Sequence, residues 1–176
     1  MSWMNATLKR VAFAAVAGTM LTGLGTSDVR AEEEALVTFK IMRLSVAQEM
    51  ANAALKACRD KGYQVAIVVV DRFGQPQVLL RDRFAGPHTP ETARRKAWTS
   101  VSFRTETLEL GRLTKAGTDL SGLRFVSDAM VAGGGMPVEA AGSIVGGIGV
   151  SGAPSGTEDQ ACAEAGIDAV ADQLAF

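Results

Sequence analysis

The sequence predicts an α+β domain: an antiparallel five-stranded sheet flanked by helices, in the order α-ββ-α-βββ-α. Three observations carry this reading. Gln64 to Asp71 is an apolar, β-branched run of the kind that fills a buried strand. Predicted strands follow one another across short turns, which makes hairpins and an antiparallel sheet rather than a doubly wound one. Between the hairpins, glycine and proline mark where helices stop and start.

The first helix is expected from Ser45 to Asp60. Ser45-Val-Ala-Gln48 has the form of a capping box, and Val46, Met50, Ala53, Ala54, Ala57 and Cys58 recur at helical spacing. Gly62 then stops the helix. Gln64–Asp71 and Pro76–Arg83 form a hairpin across Arg72-Phe-Gly-Gln75. Thr89-Pro90-Glu91 opens a second helix with an N-cap threonine, a proline at N1 and an acid in the first turn, and the helix runs to about Thr105. A partly helical connection spans Glu106 to Ser127. Ala129–Ala132 is expected as a short strand ahead of Gly133-Gly-Gly135. Pro137–Ala140 and Ser143–Val150 form a second hairpin that turns at Ala141-Gly142, and a last helix runs from about Thr157 to Leu174.

Gly147, Gly149 and Gly152 spell G-x-G-x-x-G. In a dinucleotide fold a second parallel strand ending in an acid must follow. Only 24 residues remain after Gly152, and the last helix uses nearly all of them. The glycines are therefore read as places of close backbone approach within a strand.

The N-terminus reads as a secretory signal. Lys9 and Arg10 precede an uncharged, mostly apolar stretch from Val11 to Leu24, and Val29-Arg30-Ala31 suits cleavage after Ala31. That divides the chain into a signal peptide, 1–31, and a single domain, 32–176, placed in the periplasm or outside the cell. Cleavage removes three positive charges and one negative, taking the formal net charge from −1 to −3. No basic surplus remains to favour nucleic acid or an anionic membrane as partner, and no membrane association is expected after cleavage. Cys58 and Cys162 lie on the first and last predicted helices. In an oxidising compartment they form a disulfide if those helices pack together, and otherwise are small buried side chains.

Several segments in order resemble the GlcG/HbpS haem-binding family, also met as the PduO C-terminal-like domain. They are Val68-Val-Val-Asp-Arg-Phe-Gly74 with Gln77 to Arg83, Thr92-Ala-Arg-Arg-Lys-Ala97, Gly134-Gly-Met-Pro137, and Gly146-Gly-Ile-Gly-Val-Ser-Gly152 with Glu158-Asp159 and Ala163 after it. The resemblance covers about Ser45 to Gln173. It implies a profilin-like arrangement, homo-oligomers and, in some members, bound haem. The family often carries an acidic, glycine-containing turn of the Met-Asp-Gly-Ala kind after its second strand. Here that place reads Asp82-Arg-Phe-Ala-Gly-Pro-His-Thr89.

Against that background His88, the one histidine, is the candidate axial ligand and metal-binding residue, because imidazole is the commonest axial ligand of haem iron. Arg81, Arg83, Arg94 and Arg95 are candidate partners for haem propionates. Phe84, Trp98 and Phe103 are candidates for contact with the porphyrin face. Lys96, expected to point toward the loop of His88, is a candidate for binding a carboxylate, and Gly135 completes the candidate set. Asp71 is either a turn aspartate bonded to local amides or, with Asp82, half of a carboxylate pair. A haem- or small-ligand-binding protein is the first functional reading. The second is an enzyme acting on haem or a small metabolite, with Asp71, Lys96 and His88 around one cleft. The third is an accessory subunit without a ligand of its own. No nucleophile has a histidine partner at a recognisable spacing.

Overall fold

A computed structural model describes residues 35–175 of the chain, so the signal segment 1–31 lies outside the described residues. The elements are α1 (Leu44–Asp60), β1 (Ala66–Asp71), β2 (Pro76–Arg81), α2 (Thr89–Phe103), α3 (Thr107–Leu113), a 3-10 turn at Ser121–Phe125, β3 (Gly135–Ala140), β4 (Ser143–Ser151), α4 (Gly156–Asp168) and α5 (Ala171–Leu174). Among the described residues no helix is long and apolar enough to cross a membrane.

Four strands form the sheet, in the order β2-β1-β4-β3, with every neighbouring pair antiparallel. β1 is central because all its side chains but the last are buried, as its unbroken apolar run requires. Alternation sends Ile67 and Val69 to one face and Ala66, Val68 and Val70 to the other. On the first face α1 and α4 contribute Met50, Ala54, Cys58 and Cys162 to the larger core. On the second, α2 contributes Ala93, Ala97 and Val101. The first and last long helices thus cover one face together, and Cys58 and Cys162 join them in a disulfide.

The glycines of β4 explain how closely α2 lies. A Cβ on Gly149 would stand 2.0 Å from the Ala93 carbonyl oxygen, and one on Gly147 would stand 2.6 Å from a Val101 methyl. Gly135 on β3 is equally crowded, 2.3 Å from the Lys96 carbonyl oxygen. Gly147 and Gly149 of the G-x-G-x-x-G pattern are therefore helix–sheet packing positions, while Gly152 follows β4 at φ 129° against the Gln64 carbonyl.

The expected fifth strand is absent among the described residues. Asp128 and Ala129 give their carbonyls to the Arg95 guanidinium, and the Met130 amide donates to the Thr99 hydroxyl. Polar side chains of α2 thus satisfy the backbone groups that a neighbouring strand would have paired. The capping box also fails to form. Helix α1 begins one residue early, at Leu44, and its N-cap position, Arg43, makes no side-chain cap. The C-terminal stop agrees with expectation: Gly62 is left-handed at φ 81°, and the Tyr63 amide returns to the Cys58 carbonyl. The last helix is broken into α4 and α5 where Val170 turns its side chain into the core, and strand β2 ends at Arg81, leaving Arg83 in a loop.

Candidate functional site

The loop from Asp82 to His88 joins β2 to α2 and is tied down from within. The Asp82 carboxylate is buried. It accepts from the Arg59 guanidinium at 2.8 and 2.5 Å and from the Val65 amide at 3.3 Å. The Asp82 amide donates to the Val65 carbonyl at 2.9 Å, continuing the β1–β2 ladder by one bond. Arg81 donates to the Ala85 carbonyl, and the Thr89 hydroxyl donates to the Gly86 carbonyl at 2.8 Å. With the backbone so held, the side chains of Arg83, Phe84, Pro87 and His88 are left exposed.

Phe84 is 79% exposed, an unusual position for an aromatic ring on a fixed loop. Together with Arg59, Gln64, Arg81, Asp82 and Arg83 it lines an open cavity of about 520 Å³. His88, at the other end of the same loop, is not in the cavity's lining. Its ring lies over Gly86, where a Cβ would come within 2.7 Å of Cε1. Among the described residues the imidazole is exposed and makes no hydrogen bond. The described residues hold no group of three or more His, Cys, Asp or Glu suited to a metal ion. One free imidazole suits a metal that brings its own in-plane ligands. Cationic and aromatic side chains beside an open imidazole match what a haem needs: an axial donor, a flat apolar contact and charge for two propionates.

Most other candidates are elsewhere. Lys96 points away from the loop of His88. Its ammonium is buried against the Asp159 carboxylate at 2.7 Å and the Val150 carbonyl at 3.0 Å, and the other Asp159 oxygen accepts from the Ala153 amide at 2.9 Å. Burial raises the Asp159 carboxyl above its ordinary value, while Lys96 and the Ala153 amide pull it down. Arg94 is paired with Glu91 and Asp128, and Arg95 holds the backbone at Asp128 and Ala129. Gly135 is buried beneath α2. Trp98 packs edge-on to Phe103 and against Gly74, toward the other end of α2.

Asp71 ends β1 at the far end of the sheet, where its carboxylate accepts from the amides of Phe73 and Gln75 at 2.8 and 2.9 Å. It is a turn aspartate. Ala66, at the other end of β1, pairs with Arg81, and five residues at about 3.3 Å each separate Asp71 from that end by roughly 17 Å. Asp71 and Asp82 therefore form no carboxylate pair, and no single cleft holds Asp71, Lys96 and His88. Arg59 and Gln64 escaped the sequence reading because only folding brings the end of α1 to this loop. Asp159, the partner of Lys96, was visible only as one of the family-like residues after β4.

The chain is thus an α+β domain with a three-layer helix–sheet–helix build and a cationic, aromatic loop at one end of the sheet. Residues 42–168 match the family model described as "Haem degrading protein HbpS-like", and the chain belongs to that family. It is 32% identical over 124 residues to the corrinoid adenosyltransferase PduO of Salmonella typhimurium. That match takes in 69% of this chain but only 37% of PduO, so the chain spans little more than a third of that relative. Among solved structures, a double mutant of HbpS from Streptomyces reticuli is 40% identical with a TM-score of 0.72, covering 80% of this chain and 94% of that one. The PduOC–haem complex is 29% identical with a TM-score of 0.70, covering 74% and 95%.

Proposed function

We propose that this chain is an exported haem-binding protein, in which His88 would hold the iron and the loop Asp82–His88 would form the site. The observation that carries the reading is the loop itself: a rigid backbone that presents Phe84, Arg83 and an imidazole without a protein partner. Haem in the related PduOC complex supports the choice of ligand. The Phe84 ring would contact the porphyrin, Arg83 and Arg81 would meet the propionates, and His88 would supply a nitrogen to the iron. A bound haem would bring redox and oxygen chemistry; the protein's part is to hold it and limit its exposure. A single chain offers one aromatic wall here, and a second copy closing over the other porphyrin face is the natural complement. Export rests on the signal-like segment 1–31.

The test is a haem titration read by visible absorption. A saturable Soret shift is expected for the wild type and its loss for His88→Ala. An unchanged shift in the variant would remove His88 from the site. The family's description favours a second reading, in which bound haem is degraded. Under reductant and oxygen that reading requires the Soret band to bleach with product formation, whereas simple binding leaves it intact.

A further inference from the structure

We infer a second small-molecule site, for a carboxylate carried on a flat apolar body, at the end of the sheet opposite His88. It is a cavity of about 490 Å³ whose walls include Arg72, Phe73, Val101, Arg104, Glu139 and Ile144. Val101 and Ile144 give it an apolar floor, and both belong to the packing between α2 and the sheet. Two arginines stand at its mouth. The Arg72 guanidinium stacks 4.3 Å above the Phe39 ring and 5.8 Å from that of Phe73. Stacking occupies the face of a guanidinium and leaves its N–H edge free, which is the geometry a carboxylate binds. Among the described residues neither Arg72 nor Arg104 donates a side-chain hydrogen bond or joins an ion pair.

Arg104 is also strained. It sits in the left-handed region at φ 52°, just past the end of α2, where glycine is the usual residue. Its amide and that of Thr105 both return to the Ser100 carbonyl, so the helix end is closed without help from the side chain. Ala141, in the turn beside Gly142 of the same wall, is left-handed too, at φ 48°. Two of the three non-glycine residues with positive φ thus flank one cavity, and such outliers gather where a site is held in shape. Glu139 is the one acidic residue of the lining. Beside two arginines it leaves the lining one net positive charge, which favours an anionic ligand.

The probe is sodium benzoate, titrated into the full chain and followed by saturation-transfer NMR and calorimetry, with phenyl phosphate as the doubly charged comparison. Saturable benzoate binding is expected, weakened at least about tenfold in Arg104→Gly and in Arg72→Gln, as loss of a charge-assisted hydrogen bond implies. Arg104→Gly should unfold at no lower a temperature than the wild type, since glycine relieves the strain, so its loss of binding would not reflect misfolding. His88→Ala should bind benzoate like the wild type. No saturable binding, equal binding in both arginine variants, loss in His88→Ala, or tighter binding of phenyl phosphate would each overturn the assignment.

Discussion

Gly149 has no side chain because the backbone of α2 occupies the volume where one would go. A Cβ there meets the Ala93 carbonyl oxygen at 2.0 Å, a contact that only a shift of the whole helix could relieve. Gly149→Ala is therefore expected to destabilise the fold by about 1–3 kcal/mol, read as a lower urea midpoint at unchanged m-value. Lys96 is decided by its surroundings in the same way. With a 4% exposed side chain and Asp159 at 2.7 Å, it ties α2 to the start of α4 and the end of β4. Lys96→Met leaves a buried carboxylate without its partner and should cost about 3–5 kcal/mol. The double change Lys96→Met with Asp159→Leu should recover much of that loss. A double variant as unstable as the single would show that the pair is not what holds these elements together.

At the scale of elements, the disulfide between α1 and α4 links residues 104 apart across the larger core. Replacing both cysteines by serine is expected to lower stability by about 2–5 kcal/mol, because a loop this long has much entropy to regain on unfolding. A melting temperature unchanged by reductant would contradict it. The elements themselves were largely legible in the sequence. β1 was marked by its β-branched run, the start of α2 by Pro90 and the end of α1 by Gly62. What could not be read locally was decided by long-range partners. Ala129–Ala132 has strand-like residues, but Arg95 and Thr99 claim the backbone polar groups around it. Ser45 stands directly before an apolar helical stripe that opens at Val46, yet the helix starts ahead of it, at Leu44. The site divided along the same line. Arg83, Phe84 and His88 could be grouped from the sequence because they share one loop, whereas the internal roles of Lys96, Arg95 and Gly135 depend on packing that no spacing reveals.

Across the whole molecule, the three layers leave chemistry at the two ends of the sheet. One end carries His88, Arg83 and Phe84; the other carries Arg72, Arg104 and their apolar floor. The rigid middle, with α2 seated on β4 glycines, keeps those ends roughly a strand length apart. Membership of the HbpS-like family and the haem held by a related structure support haem as the ligand, and the loop at the first end is the site proposed for it. The chain has one histidine, so its imidazole can be observed without assignment ambiguity. The decisive measurement is the imidazole NMR spectrum of protein labelled with nitrogen-15 histidine, recorded as ferric haem is added. Ligation by His88 predicts that the single set of ring signals vanishes or moves far outside its normal range in step with the Soret shift. Ring signals that stay in place while the Soret band saturates would mean that haem binds without His88, and the loop would lose its place as the site.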